Sequence, residues 1–121
     1  MAKFLLTIWT EEMPEGAVPP EEMEKQAAAY QQVTDDMRAS GAFSAGEGLN
    51  PSNTAKTVRV REGQPQTTDG PFVETKEQLG GFYLLDVRDE AEAIEWAARI
   101  PGAVYGAIEV RGIIDYPEPP Q

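Results

Sequence analysis

Neither cysteine nor histidine occurs anywhere in this chain of 121 residues. The absence of cysteine excludes disulfides, thiol nucleophiles and most structural zinc sites. The absence of histidine excludes the side chain that most often serves as a general base near neutral pH and as a metal ligand. Any proton transfer must therefore depend on Asp, Glu, Tyr, Lys or water. We predict no cofactor and no metal centre, because the spacing of Glu47, Asp69, Glu74 and Glu109 resembles no loop that binds Mg²⁺ or Ca²⁺.

Basic residues are scarce, with 10 Lys and Arg against 21 Asp and Glu. The net charge of −11 argues against binding to DNA, RNA or an anionic membrane surface, which attract clustered Lys and Arg. No apolar run is long enough for a signal peptide or for a membrane span of ~20 residues, so we expect a cytoplasmic protein. The length fits a single domain, which we place at residues 1–114, followed by a proline-rich tail at residues 115–121.

Apolar residues at helical spacing predict two helices. The first begins at Pro19-Pro20 and ends at Gly41, because proline is tolerated in a first turn and glycine favours a helix end. The second spans residues 90–100 and begins with a capping box formed by Asp89 and Glu92. Trp96 lies at the flank of the second apolar stripe. The two stripes consist of Met23, Ala27, Tyr30, Val33 and Met37, and of Ala93, Ile94, Ala97 and Ile100.

Strands are predicted from apolar runs and from alternation. The runs at residues 4–9 and 81–87 are apolar on both faces, which is typical of interior strands. Strict alternation at residues 57–61 predicts a half-buried strand with Val58 and Val60 inward, before a turn and a short returning strand. The full set of predicted strands is residues 4–9, 42–49, 57–61, 65–68, 81–87 and 107–111.

The order of these elements predicts a ferredoxin-like α+β sandwich, with a mainly antiparallel sheet and both helices on one face. The other face would then expose apolar side chains from the strands at residues 4–9, 82–87 and 107–111. An uncovered apolar face of this size indicates a partner surface or a ligand pocket. We therefore expect a homodimer in which two sheets pack face to face and enclose a modest pocket.

One stretch joins the polar turn Asp69-Gly70-Pro71 to the strand at residues 81–87 through a charged connector and a Gly80-Gly81 hinge. Asp-Gly-Pro favours a tight turn, because Asp can bond to its own downstream backbone, Gly allows positive φ and Pro fixes its φ. Asp69 is the first candidate for chemistry. Facing an apolar dimer pocket, its carboxyl would have a raised pKa and could act as an acid or base. The alternative is that it only closes its turn.

Residues 68–83, Thr-Asp-Gly-Pro-Phe-Val-Glu-Thr-Lys-Glu-Gln-Leu-Gly-Gly-Phe-Tyr, resemble the signature of the YCII-related family, specifically its DGPF branch. Residues 46–49, 95–98 and 105–111 resemble other family segments, so that the likeness covers about residues 1–114. The resemblance implies a dimeric α/β barrel built from two ferredoxin-like protomers, with an active-site cleft that contains the motif Asp.

Some relatives resemble small enzymes that act on aromatic or chlorinated rings through an Asp–His pair. DGPF-type members also tend to be linked with alternative sigma factors. In this chain Tyr105 stands where some relatives have histidine, so an Asp–His mechanism cannot be carried over.

Six further residues are candidates for the pocket, each with a structural alternative. Tyr105 could donate a hydrogen bond to a ligand oxygen, or it could be a packing residue. Glu47, flanked by glycines, could enter the cleft or be solvated, and Lys76 could hold an anionic group or pair with Glu74 or Glu77. The remaining three could form an aromatic wall or simply the core: Trp9, Phe72 and Tyr83.

Two functions follow from these candidates. The first is a small-molecule-binding protein or cofactor-independent enzyme with a pocket near Asp69, in which Asp69 acts as acid or base and Tyr105 as its hydrogen-bonding partner. The second is a non-catalytic regulatory or protein-interaction module linked to sigma-factor-dependent transcription. The sequence does not distinguish these two, and it names no substrate.

Overall fold

The computed structural model describes residues 1–117, so residues 118–121 of the predicted proline-rich tail lie outside the described part. The last strand ends at Gly112, and residues 113–117 form neither helix nor strand. None of the helices within residues 1–117 combines the length and the apolar composition that a membrane crossing requires. The elements in chain order are β1 Ala2–Glu11, α1 Pro20–Ser40, β2 Phe43–Gly48, β3 Lys56–Arg61, β4 Gln64–Asp69, β5 Glu77–Val87, α2 Glu90–Arg99, α3 Gly102–Tyr105 and β6 Ala107–Gly112.

A four-stranded sheet in the order β2-β5-β1-β6 forms the centre of the fold. All of its neighbouring strands pair antiparallel, and α1 and α2 pack on one face. This is the predicted ferredoxin-like α+β sandwich. The two strands that are apolar on both faces, β1 and β5, occupy the interior positions, as their composition predicted. The core lies between the sheet and the helices and includes Leu6, Met37 and Leu85, each with no exposed surface.

Helix α1 contributes less to this core than its sequence suggested. It ends as predicted at Gly41, which adopts φ 83° and donates its amide to the carbonyls of Arg38 and Met37. Val33 and Met37 are buried, whereas Met23 and Ala27, in the first half of the stripe, are exposed. The stripe therefore predicted the buried face correctly only where the helix lies over the sheet.

Helix α2 begins at the predicted cap, where the Asp89 carboxylate accepts a hydrogen bond from the amide of Glu92 at 2.9 Å. The Glu92 carboxylate accepts from the amide of Arg88 rather than from that of Asp89, so the box closes one residue earlier than expected. Trp96, predicted at the flank, is buried, and Ile94, predicted in the stripe, is exposed. The buried face is thus rotated toward Trp96.

Strands β3 and β4 form a separate two-stranded sheet, the hairpin, which stands away from the core. The alternation of β3 is real, but Val58 and Val60 are 62% and 59% exposed, so the prediction that they point into the core was wrong. No element within residues 1–117 buries the hairpin. Alternation specifies which residues share a face and not whether anything covers that face.

The predicted hinge at Gly80-Gly81 is instead part of strand β5. Ile8 pairs with Gly81 and Trp9 with Leu79, which leaves Gly80 as the extra residue of a β-bulge. A Cβ atom on Gly81 would lie 2.8 Å from the carbonyl oxygen of Glu47, so a side chain there would separate β5 from β2. Gly80 therefore forms a bulge against β1, Gly81 allows β2 to approach β5, and both belong to the sheet rather than to a hinge.

The sheet face opposite the helices, which we call the open face, carries an apolar band. Strand register places Leu5 beside Leu84, and Thr7 beside Phe82, on this face. Trp9 also lies here and donates its Nε1–H to Thr7 Oγ1 at 2.8 Å. Strand β6 contributes the ion pair between Glu109 and Arg111, 2.9 Å apart. The open face is therefore apolar along its two central strands and charged along β6.

Candidate functional site

Asp69, the first predicted site residue, lies at the end of β4 in the exposed hairpin. Its side chain is 88% exposed, and Oδ1 lies 2.7 Å from Lys56 Nζ on the neighbouring strand. The turn is held by other groups: the amide of Gly70 donates to the carbonyl of Ala55 at 2.8 Å, and Thr57 Oγ1 donates to the carbonyl of Gly70 at 2.9 Å. Within a single chain the Asp69 carboxylate thus forms a surface ion pair rather than closing its own turn.

A polar depression of about 530 Å³, which we call the acidic groove, lies beside Asp69. Lys76 also borders it and pairs with Glu11 at 3.8 Å, rather than with Glu74 or Glu77 as expected. Across the groove the Glu12 carboxylate accepts hydrogen bonds from the amide and hydroxyl of Ser52. No group of three or more acidic side chains within residues 1–117 is arranged to hold a metal ion.

Tyr105 does not border the acidic groove. It belongs to the short helix α3, is 63% exposed, and borders a shallow depression together with Lys25 and Val104. Asp69 borders the acidic groove and Tyr105 borders this second depression, so the two predicted acid–base partners line different depressions of the protomer.

The three aromatic candidates lie in three different places. Phe72 is exposed beside the hairpin, and the Arg59 guanidinium carbon lies 5.1 Å from the centre of its ring. Trp9 lies on the open face, whereas Tyr83 is buried on the helix side of the sheet. One chain therefore contains no aromatic wall built from these three, and Tyr83 belongs to the core.

A second cavity, of about 460 Å³, lies between α1 and the sheet; we call it the helix–sheet cleft. It brings together two of the predicted residues, Tyr83 and Glu47. Glu47 pairs with Phe82, and the side chains of both therefore lie on the sheet face opposite Tyr83. Because β2 is an edge strand, Glu47 still borders the cleft at the edge of the sheet. The side chains and glycine that matter for its chemistry are Ile8, Thr10, Tyr30, Thr34, Arg38, Phe43, Gly46 and Tyr83.

The hydroxyl groups of the cleft form an ordered chain. Thr34 Oγ1 donates to the carbonyl of Tyr30 at 2.8 Å, so its only proton is used. The 2.8 Å contact between Thr34 Oγ1 and the Tyr83 hydroxyl must then have Tyr83 as the donor. The Tyr83 oxygen keeps its lone pairs free to accept a hydrogen bond from a ligand.

Tyr30 borders the same cleft and is half-buried. Burial raises the pKa of its phenol, an effect opposed in part by a hydrogen bond with the backbone of Gly102. A Cβ atom on Gly102 would lie 2.9 Å from the Tyr30 hydroxyl oxygen, and one on Gly46 would lie 2.8 Å from Cδ1 of Tyr83. Both tyrosines thus depend on a glycine that leaves room for the ring or hydroxyl.

Sequence reasoning missed Thr34 and Arg38, and it assigned Tyr30 only to the core stripe. The three residues recur at every fourth position of α1, and residues at that spacing share one helix face. That spacing was the available signal. It could not show that β2 and β5 would supply the opposite wall.

Two comparisons relate this chain to known proteins. The YCII-related domain matches residues 4–117. An uncharacterised protein of Rhizobium meliloti (strain 1021) is 43% identical over 70 residues, which is 56% of this chain and 56% of that protein. The chain thus spans little more than half the length of that relative. The domain match covers nearly the whole chain and agrees with the resemblance of residues 68–83, and on this evidence the chain belongs to the YCII-related family.

Proposed function

We propose that this protein binds a small organic molecule in the helix–sheet cleft. The observation that carries this proposal is the composition of the cleft, which combines the apolar side chains of Ile8 and Phe43 with inward hydroxyl groups and one guanidinium. Ligand pockets are typically concave, ~300–1,000 Å³ in volume and mostly apolar, with a few fixed polar groups. The cleft, at about 460 Å³, has this character.

We further propose that the protein acts as a homodimer formed through the open face. Leu5, Leu84 and Phe82 lie there at the centre of the sheet, and each is only partly buried in a single protomer. Packing this face against a second copy would bury this apolar band. The cytoplasmic location and the lack of nucleic-acid or membrane partners, expected from composition and a net charge of −11, remain predictions.

Binding is favoured over catalysis because of the state of Asp69. Its carboxylate is exposed, is paired with Lys56 and lies outside the helix–sheet cleft. Its side chain is 88% exposed and therefore lies in no water-excluded site of one protomer. A cofactor-independent enzyme that uses Asp69 and Tyr105 would need a second protomer to bring them together.

The second candidate function is a protein-interaction module, plausible in sigma-factor-linked regulation. The exposed apolar side chains of the hairpin and its neighbour, Val58, Val60 and Phe72, support it. Large apolar residues that are exposed side by side often mark a protein contact. This candidate predicts a tight protein complex that forms without chemical turnover.

A fragment screen by ¹H–¹⁵N NMR separates these proposals. Small neutral and charged ring compounds are added to the labelled protein at millimolar concentration, and the shifted backbone amides are mapped. We expect saturable shifts at Thr34, Gly46 and Tyr83. Shifts confined to the acidic groove, or no saturable shift at any concentration, would contradict ligand binding in the cleft.

A further inference from the structure

The single cation of the helix–sheet cleft is Arg38, near the end of α1. Its guanidinium carbon lies 4.6 Å from the centre of the Phe43 ring. A guanidinium that stacks on an aromatic ring keeps the N–H groups at its edge free to bond in the plane. Arg38 is therefore held in place while its donors stay available.

Those donors have no acceptor among residues 1–117. Ion pairs occupy Lys56, Lys76, Arg88, Arg99 and Arg111. The Arg38 guanidinium has neither a carboxylate within 4.0 Å nor a side-chain hydrogen bond. Lys3, Lys25, Arg59 and Arg61 are likewise exposed and outside these ion pairs, but among these cations only Arg38 borders the helix–sheet cleft. An anion bound in the cleft therefore has this guanidinium as its charged partner.

The other walls of the cleft restrict the shape of the rest of the ligand, apart from its anionic group. Phe43 and Tyr83 meet edge to face with ring centres 6.3 Å apart, and Ile8 adds an aliphatic wall. Flat apolar groups pack well against such surfaces. The Tyr83 oxygen, whose proton goes to Thr34, offers an acceptor for a ligand hydroxyl. Glu47 also borders the cleft, at the β2 edge of the sheet, where its register with Phe82 directs it to the face opposite Tyr83.

We propose that the cleft binds a small carboxylate attached to a single flat ring, with the carboxylate on Arg38, the ring between Phe43 and Ile8, and a ring hydroxyl on the Tyr83 oxygen. This proposal rests on the proposed function, since it names the ligand class of the same cleft. Arginine suits the task because its planar fork matches a carboxylate with two parallel hydrogen bonds.

The test uses four probes of related shape: 4-hydroxybenzoate, benzoate, benzamide and acetate. Each is titrated into the ¹⁵N-labelled full chain, and dissociation constants are taken from the shifts of Gly46 and Tyr83. We expect 4-hydroxybenzoate to bind most tightly, benzoate next, benzamide more weakly and acetate not measurably. Raising the salt concentration should weaken the two ring carboxylates and leave benzamide unchanged.

Two arginine variants provide a matched comparison. Arg38→Gln should weaken 4-hydroxybenzoate by about tenfold or more, because a charge-assisted bond is lost, and should leave benzamide unaffected. Arg59→Gln removes a guanidinium that stacks on Phe72 outside the cleft, so it should change neither. Arg38→Lys keeps the charge without the fork and should recover part of the affinity.

The outcomes separate the ligand class from the function. Equal binding of benzamide and benzoate, or equal losses in Arg38→Gln and Arg59→Gln, would refute the carboxylate and leave cleft binding intact. Failure of all ring probes to shift cleft amides would refute both. If Arg38→Gln lowers the melting temperature and the other variants do not, the affinity of Arg38→Lys for 4-hydroxybenzoate is measured at matched stability. Partial recovery of affinity in Arg38→Lys supports the carboxylate contact, and no recovery contradicts it.

Discussion

Replacing Tyr83 with phenylalanine removes one hydroxyl from the helix–sheet cleft and leaves the ring in place. The ring is 7% exposed, packs edge to face on Phe43 and contacts the buried core. The hydroxyl links β5 to α1 through its 2.8 Å bond to Thr34. The substitution therefore tests a single hydrogen bond between the two walls of the cleft.

The loss of unfolding free energy in Tyr83→Phe depends on which hydrogen bonds remain after the substitution. Thr34 Oγ1 keeps its bond to the Tyr30 carbonyl, so no buried donor is left without a partner. A hydrogen bond lost without an orphaned partner costs about 0.5–1.5 kcal/mol of unfolding free energy. For a chain of this size that is a fall of about 4 °C in melting temperature. Tyr83→Ala, by contrast, leaves a cavity and should cost about 3–5 kcal/mol.

Urea unfolding monitored by circular dichroism measures both variants, with Thr34→Val and the double variant completing a cycle. We expect a coupling free energy between Tyr83 and Thr34 of about 0.5–1.5 kcal/mol. The reasoning would be refuted if Tyr83→Phe cost as much as Tyr83→Ala, since the ring would then contribute nothing. A coupling of zero would show that the hydroxyl bond does not join the walls.

Three further changes have expected outcomes. Asp69→Asn should shift the melting temperature by less than about 4 °C, because exposed ion pairs contribute ~0–1 kcal/mol, and it should abolish turnover if the protein is an enzyme. A larger thermal loss would assign Asp69 to its turn. Leu84→Glu should convert a sedimenting dimer to a monomer, and an unchanged sedimentation coefficient would contradict the open-face interface. The hydrogen bond from Arg99 lowers the pKa of Asp36. The Asp36 carboxylate should therefore stabilise the fold at pH values above its unfolded pKa near 4, and this stabilisation should be lost as the pH falls through the lower folded pKa. Urea unfolding of Arg99→Gln should show a stability that depends less on acid pH, and an unchanged pH dependence would contradict this assignment.

Periodicity in the sequence was sufficient for the two long helices, the strands and their layers, but it missed the short helix α3 that contains Tyr105. The apolar runs that became β1 and β5 could only be interior strands, and the Asp89 cap located the start of α2. Periodicity could not show whether another part of the protein covers a given face of a strand or helix. Val58 and Val60 alternate as an inward pair would, yet the hairpin is exposed. Trp96 shows the same limit on a helix, because α2 is rotated relative to its apparent stripe.

The candidate site was harder to predict, since its walls come from distant parts of the chain. Tyr30, Thr34 and Arg38 share a face of α1, but only the sheet order brings them opposite Tyr83 and Phe43. Asp69 was the first candidate because the sequence Asp69-Gly70-Pro71 predicts a tight turn that holds its carboxylate in place. That turn is present, but its hydrogen bonds come from backbone groups and Thr57.

The segment at residues 68–83 ends in two different environments. Asp69, near one end, is exposed on the hairpin, and Tyr83, at the other, is buried against α1. All of the cleft's walls come from one chain, so binding there needs no second protomer. Catalysis by Asp69 in an enclosed site would need one, because its side chain is 88% exposed in a single protomer. The monomeric Leu84→Glu variant therefore separates the two roles: it should keep the dissociation constants measured at the cleft and lose any activity that depends on Asp69.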